Sequence, residues 1–258
     1  MPNPSFEDTI STPCDGYAFL ALKNWFTPSN QGSPDYYHEC NSPISSGVPQ
    51  NNLGFQYAQT GVAYAGILTY YESSNSIREY IEVQLTEPLI ANVRYYWSFS
   101  VSKADSMDYA SNNLGIYLSQ NEVSSSDNLV IPQVPTGNLS SVAYDTSSWT
   151  TICGEYIATG GEEYLLIGNF FNNVQTNYVE IQQGSSFTIG AYYYIDDVYL
   201  SSESVSCSNH VGVEELNLKP KKVIKILDMM GREVDEQYNT LLIYIYSDGS
   251  SEKVFRAK

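Results

Sequence analysis

The sequence predicts an all-β protein, with a β-sandwich of eight or nine strands followed by a small β meander. Runs rich in Tyr, Val, Ile, Phe and Thr recur between clusters of Gly, Asn, Ser and Pro, which is the pattern of short strands joined by turns. No window shows a sustained helical period. The apolar fraction of 42% in 258 residues is enough for one sizeable core.

The predicted strands of the main domain follow in order at 15–22, 54–58, 62–71, 78–86, 94–103, 113–119, 149–158, 163–171 and 190–202. Turn residues separate them, such as the Thr-Gly-Gly of 159–161. The segment 120–148 is polar and rich in Ser, with two prolines, and it is too long for a hairpin turn. We expect it to be a long surface loop.

The charge distribution divides the chain into two differently built pieces. Residues 211–258 hold 8 of the 12 Lys and Arg and 8 of the 29 Asp and Glu, so the preceding part carries 4 bases against 21 acids and accounts for the net charge of −17. We therefore predict a main domain at 1–203, a linker at 204–219 and a small tail domain at 220–258, in which KVIKIL and LLIYIYS form strands.

The acidity of the main domain narrows the classes of partner. Nucleic acids and anionic membrane surfaces would be repelled at long range, which leaves cations and neutral ligands. The chain also lacks a run of 18 uncharged apolar residues, so we expect no membrane-spanning segment.

The four cysteines fall in no metal-binding spacing, and their even number favours two disulfides in an exported protein. Three connectivities are possible. We prefer Cys14–Cys40, which would close a loop-rich stretch, together with Cys153–Cys207, which would tie the last strand of the main domain to an inner one. The alternative is buried free thiols.

The main domain opens with NPSFED and closes with YYYIDDVYL, and both phrases resemble the first and last strands of galactose-binding-like jelly rolls, the fold of many carbohydrate-binding modules. The resemblance implies that these two strands are neighbours and that Glu7 and Asp196 hold a structural calcium ion. Two adjacent carboxylates repel unless a cation neutralises them. Strand parity places Asp196 on the inward face with Val198 and Leu200, and Asp197 in water. In the alternative role, Asp196 accepts backbone hydrogen bonds.

A second resemblance covers most of residues 3–202. The phrases NWFTPSNQGSPDYYHEC, GVPQNNLGFQYAQTGVAYAGILTYY, REYIEVQL and VSKADSMDYASNNLGIYLS resemble an uncharacterised jelly-roll module of Bacteroidota cell-envelope proteins. This family implies a location at the cell surface and implies no enzymatic role.

Tyrosine is the most distinctive component, with 23 residues. Its apolar face and polar tip suit stacking on sugar rings. Six aromatic residues at positions that read as loops are the candidate ligand-binding residues: Trp25, Tyr36, Tyr37, Tyr70, Tyr71 and Tyr109. The alternative for each of them is a structural role in the β core.

The tail matches the phrase D-x-x-G-R, then Y-x-Y-x-D-G and a late Lys, at Asp228, Gly231, Arg232, Tyr244, Gly249 and Lys253. This pattern resembles the C-terminal sorting domain of Bacteroidota proteins exported by type IX secretion. The resemblance implies passage through the periplasm, recognition by the type IX translocon and delivery to the surface or the medium. The alternative is a β hairpin that completes the main domain.

The sequence predicts no catalytic site, because its two histidines, His38 and His210, lie in no motif of a known hydrolase. The function predicted from these observations is a secreted or cell-surface non-catalytic module that binds a glycan. The alternative is a structural or adhesive surface subunit that binds protein.

Overall fold

The computed structural model describes residues 1–12, 14, 19–73, 75–181, 189–204, 223–228, 232–235, 239–246 and 251–255. The chain divides into two compact units, Met1–Gly212 and Val213–Lys258. The strands of the first unit are Trp25–Phe26 (β1), Asp35–His38 (β2), Gln50–Asn51 (β3), Gly54–Phe55 (β4), Ala63–Tyr71 (β5), Ile81–Gln84 (β6), Arg94–Lys103 (β7), Tyr109–Ser111 (β8), Leu114–Ser119 (β9), Gly137–Asn138 (β10), Thr150–Ile157 (β11), Tyr164–Asn169 (β12), Tyr178–Glu180 (β13) and Gly190–Ser201 (β14).

Two five-stranded antiparallel sheets form the body of this unit. The first sheet has the order β1-β6-β12-β9-β10, and the second has the order β11-β7-β14-β5-β2. Short pairs β3-β4 and β8-β13 lie outside them. The prediction of an all-β sandwich is confirmed.

One apolar core lies between the two sheets, because alternate residues of each strand point to the same side. From the first sheet, Ile116 of β9 and Ile167 of β12 enter this core, and from the second sheet Phe99 of β7, Ala65 of β5 and Tyr193 of β14 do so. Each of these five side chains is almost completely buried. The core holds the two sheets face to face.

The outer face of the second sheet carries a layer of four tyrosines, Tyr37, Tyr64, Tyr192 and Tyr194, which we call the outer tyrosine layer. All four are at most 5% exposed, because the connection between β2 and β5 covers them. The Tyr194 hydroxyl donates to Asn51 Oδ1 (2.8 Å), and Asn51 Nδ2 donates to the Tyr64 hydroxyl (3.1 Å). The second sheet therefore packs on both of its faces.

A β-bulge in β14 overturns the expected parity of the last strand. The pairing of β14 with β7 shifts between Asp196 and Tyr199, and Asp197 has a φ of 51°. The extra residue puts Val198 in the core with Ile195, so Asp196 does not share its face. Asp196 is fully buried, as expected, but it is buried on the side of Tyr194.

Eight of the nine predicted main-domain strands overlap β4, β5, β6, β7, β9, β11, β12 and β14. The ninth, 15–22, is wrong in its described part, where Phe19–Ala21 is a short 3-10 helix. Phe19 and Leu22 are both buried while Leu20 is 81% exposed, and this spacing of three fits a 3-10 turn. The long loop 120–148 contains only β10 but buries Ile131 and Leu139, so it is more than a surface loop.

Cys14 and Cys40 are joined by a disulfide, the pairing preferred from the sequence. Cys153 lies in β11, and Cys207 lies outside the described residues, so the second pair stays a prediction. The predicted linker, 204–219, also lies outside them except for its first residue.

The second unit contains a three-stranded antiparallel sheet of Val223–Leu227 (β15), Leu241–Tyr246 (β16) and Ser251–Phe255 (β17), in that order. This is the predicted β meander. Among the sorting-signal positions, Asp228 accepts hydrogen bonds from Arg232 N (2.9 Å) and Arg232 Nε (2.7 Å). Tyr244 is buried in β16 and Lys253 lies in β17, whereas Gly231 and Gly249 are outside the described residues. No helix in the described parts of the chain is long and apolar enough to cross a membrane.

Candidate ligand-binding site

The six aromatic residues predicted to bind ligand lie in strands, so the expectation that they occupy loops is wrong. They belong to β1 (Trp25), β2 (Tyr36 and Tyr37), the end of β5 (Tyr70 and Tyr71) and β8 (Tyr109). All except the half-buried Tyr71 are at most 8% exposed. Strands as short as β1, β2 and β8, set in polar sequence, give too few residues for the period-2 pattern to be recognised.

Hydrogen bonds and ring packing explain the burial of these side chains. Trp25 Nε1 donates to the Asn3 carbonyl (2.8 Å), and the Tyr36 hydroxyl donates to the Phe6 carbonyl (3.0 Å). Tyr37 stacks on Tyr64 with 5.1 Å between ring centroids. These three residues hold the N-terminal segment and the outer tyrosine layer in place, and their faces are not open to a ligand.

Tyr70 and Tyr109 are brought together around a residue that the sequence did not single out. Tyr178 of β13 stacks on Tyr70 at 4.6 Å and meets Tyr109 edge-on at 5.3 Å between centroids. Tyr178 is 48% exposed. The guanidinium of Arg78 lies 5.9 Å from the centre of the Tyr70 ring. Two buried tyrosines thus support one exposed tyrosine at this end of the sandwich.

The predicted calcium ligands Glu7 and Asp196 both accept hydrogen bonds from the turn at residues 59–63. Glu7 Oε1 accepts hydrogen bonds from the amides of Val62 (3.0 Å) and Ala63 (3.1 Å). Asp196 Oδ2 accepts hydrogen bonds from the amides of Gln59 (2.9 Å) and Thr60 (3.1 Å). Asp196 therefore has the alternative role, as an acceptor of backbone hydrogen bonds.

The two carboxylates are oxygen ligands of the kind that calcium binds, but the turn presents amide N–H groups to them. The donor set is also small. No group of three or more His, Cys, Asp and Glu among the residues described could hold a metal ion, so carbonyl oxygens would have to complete the shell. Calcium at Glu7 and Asp196 therefore stays a prediction.

A groove of about 540 Å³ opens beside the end of β9. Residues 117–124 form one wall, Gln133 of the long loop adds to it, and Tyr156 with Thr159 and Glu162 forms the other. Leu114, Ile116 and Leu118 point into the core, so the alternation of β9 points Tyr117 outwards, where it is half-buried. We call this cleft the groove.

The second wall of the groove is fixed by Glu162, which is 2% exposed. Its Oε1 accepts hydrogen bonds from the Tyr156 hydroxyl (2.7 Å) and the Thr159 amide (2.8 Å), and its Oε2 accepts one from Gly160 N (2.9 Å). Burial raises the pKa of Glu162, but hydrogen bonds from Thr159 and Tyr156 outweigh it and hold the pKa at about 2. Glu162 is therefore ionised at neutral pH and orients Tyr156.

The first wall carries amide side chains that suit hydroxyl groups. Gln120 Nε2 donates to the Gly160 carbonyl (2.8 Å), which links the two walls. Asn121 is exposed and Gln133 is half-buried, and each amide offers both donors and an acceptor. Sequence reasoning missed these residues, although the outward position of Tyr117 follows from the alternation of LGIYLS.

The surface around these features is more acidic than the composition alone suggests. Two of the main domain's four bases, Arg78 and Lys103, are at most 1% exposed. Lys103 Nζ donates to the carbonyls of Ala104 (3.0 Å) and Met107 (2.6 Å), and burial lowers its pKa to about 8. Arg94 is paired with Glu155. Little positive charge is left for an anionic ligand.

No family model matches the chain, and no curated protein matches it either. Among solved structures, the chain is similar to the CBM22-1 xylan-binding domain of Paenibacillus barcinonensis Xyn10C, with 14% identity, a TM-score of 0.38 and coverage of 78% of this chain and 93% of that one.

It is also similar to the K3 cleaved adhesin domain of Lys-gingipain from Porphyromonas gingivalis W83 (13%, TM-score 0.39, 77% and 96% covered). A third similar structure is TmCBM61 in complex with β-1,4-galactotriose (13%, TM-score 0.37, 79% and 97% covered). These neighbours are carbohydrate-binding modules and an adhesin domain, and at such low similarity they assign no family to this chain.

Proposed function

We propose that this chain is a non-catalytic module that binds neutral glycans in the groove. One observation carries the proposal: two half-buried tyrosines, Tyr117 and Tyr156, line a cleft together with the amides of Gln120, Asn121 and Gln133. Tyrosine rings stack on the C–H faces of sugars, and amides bond to hydroxyl groups. The groove is within the size range of ligand pockets.

The charge of the surface selects the class of glycan. Because Arg78 and Lys103 are buried and Arg94 is paired with Glu155, polymers rich in uronic acid or sulfate would find a repulsive surface. Neutral polysaccharides carry no such cost. We therefore expect neutral chains to be preferred over acidic ones of the same length.

The test is affinity electrophoresis and calorimetry of the full chain against a panel of neutral polysaccharides, beginning with xylan and β-1,4-galactan. We expect Tyr117→Ala to weaken binding about tenfold, the loss of one good ring contact. Tyr144→Ala is the matched control, since Tyr144 is 66% exposed and does not line the groove. Failure of the wild-type chain to bind any neutral glycan would overturn the proposal.

The proposal also includes a structural calcium ion, which Glu7 and Asp196 would bind at the turn 59–63. The two acids approach one turn, and a cation there would offset the burial of negative charge. The ion would stabilise the turn without contacting the glycan in the groove.

The tail, in this proposal, directs export by type IX secretion to the cell surface or the medium. The sorting-domain phrase, the change in charge and the separate compact unit Val213–Lys258 support this, and the disulfide Cys14–Cys40 is typical of oxidising compartments. In a host with type IX secretion, a chain lacking 213–258 should remain folded and accumulate in the periplasm. Normal delivery of that chain to the surface would refute the sorting role.

A second candidate function, adhesion to a protein, is favoured by the surface of β13. Tyr178, Val179 and Ile181 are 48%, 47% and 42% exposed, and Val174 is 96% exposed. Exposed apolar residues along a strand are typical of surfaces that bind protein. Concentration-dependent association that Val179→Lys abolishes, with no binding of any glycan, would favour this candidate.

A further inference from the structure

Phe55 and Tyr57 form an exposed aromatic pair that does not line the groove. They are 47% and 65% exposed, and their rings meet edge-on at 5.4 Å between centroids with an interplanar angle of 89°. Gln56, between them, is 6% exposed. This alternation is that of an extended chain, and it turns both rings to the solvent side.

Hydrogen bonds hold the segment that carries these rings in place. The Phe55 amide donates to Asp105 Oδ2 (2.7 Å), and the Gln56 amide donates to the Pro49 carbonyl (2.8 Å). Gln56 Nε2 donates to Ser102 Oγ (2.6 Å), and Trp149 Nε1 donates to the Tyr57 carbonyl (2.9 Å). Little backbone freedom remains to be lost when a ligand binds.

The anchoring places the pair over the outer face of the second sheet. Ser102 lies on β7 between Val101, which belongs to the core, and Lys103, which is buried. Because successive residues of a strand point to opposite faces, Ser102 points away from the sandwich core. The hydroxyl of Tyr64, a member of the outer tyrosine layer, also donates to the Gln56 carbonyl (3.2 Å). The groove, in contrast, is lined by the end of β9 in the first sheet and by Tyr156 of β11, at the edge of the second sheet.

The segment that carries the pair is itself uncharged, although the carboxylate of Asp105 lies against its backbone at Phe55. Residues 41–71 contain no Asp, Glu, Lys, Arg or His, although the main domain as a whole is strongly acidic. The amide side chains of Gln50, Asn52 and Gln59 belong to exposed residues of this segment. Rings and amides without charge suit a ligand that offers C–H faces and hydroxyl groups.

The area that the two rings can bury also indicates the class of ligand. A stable protein interface buries about 800 Å² on each partner, whereas an aromatic side chain buries at most about 250 Å². Two partly exposed rings are too small for such an interface and large enough for one or two sugar residues.

We propose that Phe55 and Tyr57 form a second site for neutral saccharides, which we call the aromatic platform. The proposal takes its ligand class from the proposed function and adds a site over the outer face of the second sheet. A short oligosaccharide would occupy each site separately, while a long polysaccharide or a matrix of chains would engage both. Two linked sites raise the apparent affinity for such a matrix without any new contact.

The experiment is calorimetry of the full chain with a neutral oligosaccharide, starting with β-1,4-galactotriose and xylohexaose, in parallel with retention on the insoluble polysaccharide. The variants are Phe55→Ala/Tyr57→Ala at the platform and Tyr117→Ala at the groove. We expect about two oligosaccharides per wild-type chain. In either variant one site binds about tenfold more weakly, so about one oligosaccharide per chain should bind at concentrations that fill only the intact site. Retention on the matrix should fall about tenfold or more in both variants.

Tryptophan emission reports which site is occupied. Trp25 and Trp97 are 3% and 4% exposed, whereas Trp149 is half-buried and bonded to Tyr57. Ligand should therefore shift the emission of Tyr117→Ala, in which only the platform remains, and leave that of Phe55→Ala/Tyr57→Ala nearly unchanged.

Three outcomes separate the two proposals. Wild-type stoichiometry in Phe55→Ala/Tyr57→Ala, with binding lost in Tyr117→Ala, overturns the platform and keeps the groove. Binding lost at the platform variant alone keeps the platform and overturns the groove. No binding of any neutral saccharide by the wild-type chain overturns both.

Discussion

The carboxyl group of Glu82 accepts a 3.0 Å hydrogen bond from the backbone amide of Val123, 41 residues further along the chain. Glu82 is fully buried on β6, and its Oε2 has no hydrogen-bond partner within the described structure. Burial raises the pKa of Glu82 to about 8, and the nearby Glu122 adds to the rise. A protonated carboxyl thus holds the wall of the groove against the first sheet.

The substitution Glu82→Gln should remove part of the pH dependence of stability. The folded-state pKa is raised above the ordinary value near 4.5, so the folded state holds a proton that the unfolded state has lost between about pH 4.5 and 8. The stability that Glu82 contributes is complete below that window and falls as pH rises through it. Relative to wild type, Glu82→Gln should gain several °C in melting temperature at pH 8 and little at pH 5.

Asp35 and Asp196 also have raised pKa values, about 7 and about 8, so the comparison must be between variant and wild type at each pH. Glu87→Gln, at an exposed position, is the control and should leave the pH profile close to that of the wild type, because Glu87 is not among the groups that shift the pKa of Glu82. A constant difference between Glu82→Gln and wild type from pH 5 to pH 8 would contradict this account.

Asn51→Ala should destabilise the connection that covers the second sheet. Asn51 is 3% exposed, and its side chain bonds to Tyr194, Tyr64 and the amide of Leu53. Alanine leaves these buried groups without their partner, at a cost of about 3 kcal/mol in the free energy of unfolding. Urea denaturation measures it, with the exposed neighbour Asn52→Ala as the control. Equal midpoints for the two variants would show that the network contributes little.

Gly61→Ala should be much more destabilising than Gly161→Ala. Both glycines have positive φ, 64° and 86°, so backbone strain is common to the two substitutions. A Cβ at position 61 would lie 2.2 Å from Glu7 Oε1, whereas at position 161 the nearest atom, Gln120 Nε2, is 3.5 Å away. The difference in melting temperature therefore isolates the contact of Glu7 with the turn. Similar losses in both variants would mean that Glu7 moves away without cost.

Removal of calcium should lower the melting temperature if the ion is bound at Glu7 and Asp196. A ligand that binds only the folded state, at a hundred times its dissociation constant, stabilises by about 2.7 kcal/mol. Glu7→Gln should abolish the difference between calcium and chelator, while the exposed acid Glu87→Gln should keep it. Identical melting curves of the wild-type chain in calcium and in chelator would remove the ion from the proposal.

Long strands could be predicted from the sequence, and short ones could not. The alternation of RYYWSFSVSK and YYYIDDVYL spans enough residues to identify β7 and β14, but β1, β8 and β13 have only two or three residues each. Their pairing is decided by neighbours distant in sequence, as in Tyr178 opposite Ser111. The bulge at Asp197 was likewise invisible, because it shows only in the pairing of β14 with β7.

The candidate site could be predicted only in part for the same reason, because accessibility depends on contacts between residues distant in sequence. The large number of tyrosines is visible in the sequence, but which of them are accessible depends on layers and loops that form only in the folded chain. Tyr36 and Tyr37 read as loop residues and are buried on opposite faces of β2, while Tyr117 and Tyr57 read as strand residues and face the solvent. Glu7 and Asp196, which the resemblance assigns to one calcium site, accept hydrogen bonds from amides of the same turn, and the calcium ion stays a prediction.

The outer tyrosine layer also makes the stability of the fold sensitive to alkaline pH. Burial raises the pKa of Tyr64 and Tyr194 far above the ordinary value of 10. Because the raised groups keep their protons only while folded, the folded state loses stability as pH rises beyond about 10. A rise in the near-ultraviolet absorbance of phenolate should therefore accompany the opening of the sandwich.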